Sequence, residues 1–524
     1  MRFFNTAGPV NAAKHYCLPP LERFDLDMLL RLIGQEKYFV LHAPRQTGKT
    51  TCLLALMGHL NQAGRYRCVY LNVEKGQSAR EDVTAAMQAI LDTLATWAER
   101  ALGDRFVEDN WDRILAKSGG HSAFSKMLTL WAEQDSRPLV LLIDEVDSLL
   151  GDTLVSLLRQ LREGYPLRPS HFPQSIVLCG VRDVRDYRIR TSSKEVITGG
   201  SAFNIKAESL RLGDFSRQDV GALFQQHFDE TGQEFSPLAL ERIWELTQGQ
   251  PWLVNAMGYE CCFRFKGGFD RSRRVTRETV DQSRENLIVR RETHLDQLAD
   301  KLQEERVRRV IEVLLAGNKE PQGLLRDNVD YVRDLGLIRR NPPLAIANPI
   351  YREVIPRELV STTEETIAQD PQWYVRPEGS LDLEKLLAAF TDFFRQHSEH
   401  WIERFDYKEA GPQLLLQAFL QRIVNSGGRI EREYGLGRRR TDLLVSWPHQ
   451  GGKQLEVIEL KIQHGSRQAT IAEGLPQTAD YMDRCGALQG HLVIFDRTEG
   501  KSWEERIFRD ERIESGKTIQ VWGM

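Results

Sequence analysis

Three groups of residues in this sequence have the types and spacing to do chemistry. The first is Ala43-Pro44-Arg45-Gln46-Thr47-Gly48-Lys49-Thr50-Thr51, which follows the apolar run Tyr38–His42 and opens a helix-like stretch. Backbone N–H groups of such a loop, with a helix N-terminus behind them, make a cradle for an anion. Lys49 is placed to reach the β- and γ-phosphates of a nucleotide, and the Thr50 hydroxyl to ligate Mg²⁺. The pattern Gly-x-x-x-x-Gly-Lys-Ser/Thr is broken once, by Ala43 at the first glycine. A methyl group is tolerable there if the residue keeps negative φ. The second group is Leu139-Val-Leu-Leu-Ile-Asp144-Glu145, an apolar strand ending in two carboxylates. Asp144 is read as holding the Mg²⁺ shell, and Glu145 as orienting and deprotonating the attacking water. Arg182 and Arg185 follow a further strand, where an arginine could neutralise charge developing on the γ-phosphate.

The third group is a hairpin. Asp442 lies near the start of one strand, and Glu459-Leu460-Lys461 lies on the next, across the turn Pro448-His-Gln-Gly-Gly-Lys-Gln. Strand side chains alternate, so Glu459 and Lys461 share a face with Leu455 and Val457, and Ile458, Leu460 and Ile462 take the other. A strand apolar on both faces is buried, and a buried carboxylate or ammonium is costly unless compensated. A divalent cation held by Asp442 and Glu459, with Lys461 beside it, removes that cost. Such a metal polarises a phosphate and acidifies a water, while the lysine positions that water and offsets charge. Gln477 and Tyr481 follow on a helix at i, i+4, on one face. Arg438, Arg439 and Arg440 precede Thr441-Asp442 and could position a phosphate backbone.

These groups need elements to hold them. Strand candidates are Tyr38–His42, Arg67–Asn72, Leu139–Ile143, Ser175–Cys179 and Ile205–Leu212, separated by helical stretches such as Lys49–Gln62, Arg80–Glu99 and Thr153–Arg162. Continuous apolar strands alternating with helices predict a parallel sheet covered on both faces. After Leu212 the pattern is wholly helical. Val307–Leu315, Asn328–Leu335 and Ile338–Asn348 follow the order helix, helix, hairpin of a winged helix. Its second helix, written Arg326-Asp-Asn-Val-Asp-Tyr-Val-Arg-Asp334, carries three aspartates, which repel phosphates, so a packing or regulatory role is favoured over DNA reading. The polar stretch Ser361–Gly379 reads as a linker. Helices at Leu381–Gln396 and Pro412–Val424 then precede strands Arg429–Tyr434, Thr441–Trp447 and Leu455–Ile462.

At 524 residues the chain is too long for one core, and roughly two to four domains are expected. Hydrophobic residues at 41% and charged residues at 27% fit ordinary globular protein, and the net charge of −4 leaves a nucleic-acid partner open, since a local basic surface suffices. No apolar run approaches the roughly 20 residues needed to span a bilayer, and the start lacks the apolar core of a signal peptide. Seven cysteines without a Cys-x-x-Cys argue for reduced thiols and no zinc framework. The expected location is cytoplasmic.

On Phe39-Val-Leu-His-Ala-Pro-Arg-Gln-Thr-Gly-Lys-Thr-Thr51, the run Asp144-Glu145-Val146-Asp147 and Thr247-Gln-Gly-Gln-Pro-Trp-Leu-Val254, the region from about Phe3 to Leu359 resembles AAA-like and STAND-type (archaeal-ATPase-like) P-loop ATPases. The resemblance implies that Gly249–Pro251 lies in a helical lid beside the nucleotide, and that lid and winged helix move with ATP state. On Asp442, Glu459 and Lys461, the stretch from Leu381 to Met524 resembles the PD-(D/E)XK nuclease superfamily. That resemblance makes Asp442 and Glu459 the metal pair, and Gln477 and Tyr481 the Gln-x-x-x-Tyr element of helicase-associated nucleases. Thr441 stands where the motif has proline, and the upstream helical acid falls to Glu409 or to Gln417. The expected fold is therefore α/β, as follows: residues 1–212, a P-loop core with a parallel five-stranded sheet; 213–295, a helical lid; 296–360, a winged helix; 361–379, a linker; and 380–524, a restriction-endonuclease-like α/β domain. The expected function is ATP hydrolysis coupled to metal-dependent cleavage of nucleic acid, with ATP and Mg²⁺ as cofactors and Mn²⁺ as a second candidate at the nuclease site. DNA is favoured over RNA, self-association through the ATPase domain is anticipated, and the combination is associated with genome maintenance and anti-invader defence. The alternative is an ATP-driven switch whose nuclease-like domain only binds nucleic acid.

Overall fold

Two alternating apolar faces on each of several short strands require a sheet covered on both sides, and the computed structural model has one. Its described residues are 1–183, 188–190, 196–265, 267–290, 293–315, 324–355, 373–404, 416, 419–420, 428–436, 439–449, 452–463, 465–496, 498 and 501–524. The strands are β1 (Tyr38–His42), β2 (Arg67–Asn72), β3 (Leu139–Asp144), β4 (Ser175–Gly180) and β7 (Lys206–Arg211), with a short antiparallel pair, β5 (Arg188–Arg190) and β6 (Val196–Thr198), between the last two. The sheet runs β2-β3-β4-β1-β7 with every neighbour parallel, as the pattern predicts. Parity divides the core. Tyr38, Val40, Leu141 and Ile143 pack with the helices Val83–Leu102, Ala123–Ala132 and Gly151–Glu163, whereas Phe39, Leu41, Val140 and Leu142 pack with the helices Leu26–Gly34 and Lys49–Gln62. The ladder extends β3 one residue beyond the expected end, setting Asp144 opposite Asn72.

The chain divides into two units, Met1–His294 with Asp330–Ile350, and Leu295–Val329 with Tyr351–Met524. In the first, the sheet is followed by the helices Arg217–Thr231, Pro237–Thr247, Pro251–Tyr259 and Arg277–Val289. Their starts are written locally: Ser216 and Asp219 form a capping box, the Ser236 hydroxyl accepts from Ala239 N, and the Gln250 side chain accepts from Leu253 N. Gly249 has φ +77, and its carbonyl accepts from Phe215 N at 2.8 Å. The helix Arg326–Asp334 covers the stretch read from the sequence as the second helix of that order, and an antiparallel bridge Ile338↔Ile346 follows it.

The second unit holds a six-stranded mixed sheet where three strands were anticipated. Its strands are β8 (Arg429–Leu436), β9 (Arg439–His449), β10 (Gly452–Ile462), β11 (Gln489–Phe495), β12 (Phe508–Glu514) and β13 (Lys517–Gly523), in the order β12-β13-β11-β10-β9-β8. β8, β9 and β10 form an antiparallel meander, and the helix Arg467–Cys485 crosses to β11, which is parallel to β10. One face packs Ile458, Leu460, Val493 and Trp522 with Leu386, Leu387 and Phe390 of the helix Leu383–Arg404. The other packs Val457, Leu492 and Val521 with Leu475, Ala479 and Met482 of the crossover helix. Leu416, Phe419 and Leu420 are helical and buried; the rest of the expected helix Pro412–Val424, with Gln417, lies outside the described residues, as do Arg185, Glu409 and Arg438. Among the described residues no helix is long and apolar enough to cross a membrane. The seven cysteines are free thiols.

Candidate functional site

The loop after β1 is closed by contacts of its own residues. Ala43 N continues the ladder by donating to Gly180 O at 3.2 Å. Ala43 is fully buried and stays out of the left-handed region, so its methyl group costs no strain. Left-handed φ falls instead on Gln46 (+56) and Gly48 (+92). Thr47 is buried, and its hydroxyl donates to Pro44 O at 2.8 Å, closing the loop on itself. Lys49 starts the helix Lys49–Gln62, whose first turn carries no acid, so the positive helix end faces the loop. Its buried ammonium donates to Ala43 O at 2.9 Å and Pro44 O at 3.0 Å. Arg45 is exposed, and the Thr51 hydroxyl accepts from Val10 N at 3.1 Å.

Arg23, which sequence reasoning did not single out, supports this loop. Its guanidinium donates to Thr47 O and to Gly213 O, and stands 4.7 Å from the Phe215 ring centroid. Burial lowers its pKa. A Cβ on Gly48 would come within 2.7 Å of that guanidinium, a second reason for glycine at a left-handed position.

At the end of β3, Asp144 is fully buried, and each of its oxygens has a partner. Oδ2 accepts from the Thr50 hydroxyl at 2.7 Å and from the Tyr70 hydroxyl at 3.0 Å, and Oδ1 accepts from Glu145 N at 3.0 Å. Tyr70 was not legible as a site residue. It sits on β2 because β2 is the neighbour of β3, and burial together with the Asp144 charge pushes its phenol far up. Glu145 adopts φ +58, a conformation that costs a non-glycine residue roughly 1–2 kcal/mol. Burial raises its pKa, with Lys49 and Arg45 opposing and Asp144 and Asp147 adding to the rise. A carboxyl raised in this way is a better proton acceptor than an unperturbed one. Asp147 Oδ1 accepts from Val181 N at 3.1 Å, tying this loop to the end of β4.

Arg182, two residues after β4, is ion-paired. Its Nε lies 3.2 Å from Asp334 Oδ2, and its guanidinium stands 4.9 Å from the Tyr331 ring centroid. Arg211, the last residue of β7, reaches the other oxygen of the same carboxylate at 3.4 Å.

In the second unit, Glu459 is buried, and its Oε1 lies 3.3 Å from the ammonium of Lys461. Lys461 also lies 3.6 Å from Glu473 on the crossover helix, a carboxylate the sequence reading did not name. Glu473, Gln477 and Tyr481 recur at i, i+4, i+8 and so share a helix face; Gln477 is half-buried and Tyr481 buried. Ile458 pairs with Leu443, so 442 and 459 are the next positions along β9 and β10. The side chain of Asp442 lies outside the described residues, as do those of Arg439 and Arg440. Among the described residues no group of three His, Cys, Asp or Glu could hold a metal ion. On the opposite face, His491 Nε2 lies 2.8 Å from Glu456 Oε2, and Trp522 Nε1 donates to His491 Nδ1 at 3.3 Å, a buried network that joins β10, β11 and β13.

A parallel sheet in this order, with a phosphate-type loop after β1 and a carboxylate pair after the adjacent-but-one strand β3, is a P-loop ATPase core. The model of the AAA-like domain family matches residues 27–304, more than half of the chain, and the protein belongs to that family. No curated protein matches it. Among solved structures it is similar to the Walker-type ATPase PABY2304 of Pyrococcus abyssi, at 15% identity over 67% of this chain and 99% of that one, with a TM-score of 0.46. It is also similar to Cdc6p from Pyrobaculum aerophilum (16% identity, 66% and 96% covered, TM-score 0.35). A third is the RuvB Holliday junction branch migration motor of Thermotoga maritima (13% identity, 63% and 93% covered, TM-score 0.33).

Proposed function

We propose that the first unit binds and hydrolyses ATP in the loop Ala43–Thr51, and that residues 380–524, within the second unit, are a metal-dependent nuclease domain under its control. What carries the first part is one contact, the Thr50 hydroxyl on Asp144 Oδ2 at 2.7 Å. It joins the end of the phosphate loop to the end of β3 with two hard oxygen donors of the kind Mg²⁺ takes. Thr50 and Asp144 are the residues to hold that ion, which when bound with the nucleotide offsets phosphate charge. Loop N–H groups bind the phosphates, and the Lys49 ammonium exchanges its carbonyl partners for phosphate oxygens. Glu145, the carboxyl raised by burial, orients the attacking water and accepts its proton.

Support for the nuclease part is the buried Glu459 with the Lys461 ammonium beside it, at the position following the Ile458–Leu443 pair in the ladder that carries residue 442. Asp442 and Glu459 are the proposed metal ligands, with Mg²⁺ or Mn²⁺ supplying Lewis-acid activation of the phosphate. Lys461 positions the water, and Gln477 and Tyr481 line the same face. Nucleic acid, DNA before RNA, is the proposed substrate. A switch whose second unit binds nucleic acid without cutting it is the competing reading.

The test is ATP binding and phosphate release by wild type and Lys49→Ala, together with incubation of DNA and RNA with Mg²⁺ or Mn²⁺, with and without ATP, for wild type and Lys461→Ala. Lys49→Ala is expected to weaken nucleotide binding by about tenfold to a hundredfold, from the loss of charge-assisted hydrogen bonds. Wild-type hydrolysis that survives this substitution unchanged removes the P-loop reading. Cleavage absent with either metal, or equal in Lys461→Ala, removes the nuclease reading and leaves the binding module.

A further inference from the structure

Between Arg264 and Arg277 the sequence carries six cations, Arg264, Lys266, Arg271, Arg273, Arg274 and Arg277, against one acid, Asp270, in a chain whose net charge is −4. The stretch belongs to the first unit. It follows the helix Pro251–Tyr259 and one π-helical turn, Glu260–Arg264, and leads into the helix Arg277–Val289. Phe269 lies in its middle with 67% of its surface exposed. Such a run of positive charge with an aromatic ring held in water is the pairing of features that single-stranded nucleic acid uses.

The backbone that carries the ring is fixed from below. Arg271 Nη1 donates to Gln233 Oε1 at 2.7 Å and to Cys262 O and Gly268 O, each at 2.9 Å. Gln233 is buried, and its Nε2 donates to Gly268 O at 3.3 Å and to Arg273 O at 3.2 Å. Asp270 N closes the turn on Gly267 O at 3.2 Å, and Val275 N ties the far end to Glu234 O at 2.8 Å. Phe269 is therefore presented on an ordered frame, so binding there does not have to pay for ordering the loop. A Cβ on Gly267, at φ +105, would come within 2.8 Å of Arg273 Nη1, which sets that exposed residue's guanidinium against the same turn. Arg274 pairs with Glu234 at 2.7 Å, but both residues are exposed, and such a pair is weak enough to exchange.

Guanidinium forks match phosphate oxygens, and an exposed ring offers a face on which an unpaired base stacks. Acidic side chains of a peptide would meet the cations but give the ring no flat partner, and a duplex keeps its base faces covered. We infer that the loop Gly267–Arg274 is a contact site for single-stranded nucleic acid, with Phe269 stacking on a base and Arg273 and Arg274 holding the phosphates beside it. The site lies in the first unit, away in sequence from the proposed nuclease residues, and does not rest on that reading. Stacking and phosphate contacts are common to DNA and RNA, so both polymers belong in the test.

The experiment titrates the full-length chain, with EDTA so that nothing is cut, into fluorescently labelled single strands of DNA and of RNA and a DNA duplex, reading anisotropy at several salt concentrations. Phe269→Ala is expected to weaken single-strand binding by about tenfold without changing its salt dependence, and Phe269→Trp to retain it. Arg273→Gln should instead lower the slope of log affinity against log salt by about 0.7, the share of one phosphate contact on a single strand. Duplex binding should not respond to Phe269→Ala. The two substitutions thus carry different signatures, which a general loss of fold would not produce. Single-strand affinity and salt slope unchanged in both variants overturn the inference, as does a wild-type chain that binds neither single strand. Labelled poly-glutamate bound as tightly as the single strands, and equally sensitive to Arg273→Gln, makes the loop an acidic-peptide site and overturns it too. The nuclease reading is tested separately, by cutting with metal and by Lys461→Ala, so either can fail without the other.

Discussion

Acid should destabilise the first unit through one buried imidazole. His294 is buried and stacks on Trp252, with ring centroids 4.7 Å apart and an interplanar angle of 28°. Burial lowers its pKa from 6.5 to about 4. In the unfolded chain the imidazole takes up a proton below pH 6.5, whereas in the folded chain it stays neutral until about pH 4. The unfolded state therefore binds more protons across that interval, so stability falls as pH drops through it. One pKa unit is about 1.4 kcal/mol, so between pH 7.5 and pH 4.5 the group should withdraw about 2–3 kcal/mol. His294→Phe keeps an aromatic ring against Trp252 and removes the titration. Urea unfolding of both proteins, followed by tryptophan fluorescence across this range, should show wild type losing about 2–3 kcal/mol more than the variant. Parallel pH profiles for the two would refute the reasoning, because the imidazole would then titrate alike in both states.

Glu145→Gln keeps the shape of the side chain but removes its basicity. Steady-state phosphate release should fall by about 10²–10⁴-fold while ATP binding persists, and a loss of binding instead would show that the residue holds the loop. Gly249→Ala puts a Cβ 2.0 Å from Phe215 O at a left-handed φ, and should cost about 3 kcal/mol, read as a lowered thermal midpoint. An unchanged midpoint would mean that the 215–249 connection yields freely.

The chemistry-bearing segments were legible because their signals are local. A loop followed by a helix, an apolar strand ending in Asp144-Glu145, and a Glu-x-Lys on an alternating strand are patterns of adjacent residues, and periodicity reports burial directly. The parallel sheet followed from the same signal, since all six residues of β3 are buried and its even and odd positions serve two different cores. β11, β12 and β13 escaped notice, in part because β12 reads Phe-Arg-Asp-Glu-Arg-Ile-Glu, the charged composition of an edge strand rather than an alternating one.

Everything that depends on which strand lies beside which was decided only by the tertiary structure. Tyr70 reaches Asp144 because β2 borders β3, although 74 residues separate them. Arg23 reaches Thr47, and Arg182 and Arg211 meet at Asp334, through chain separations that no sequence window spans. Arg182 is the instructive case. Its place after β4 could be read from the order of elements, but its partner is a carboxylate more than 150 residues away. Local sequence sets what a segment becomes and which of its faces is apolar; sheet order and long-range closure set which charges meet, because those depend on how segments pack and not on how they are spelled.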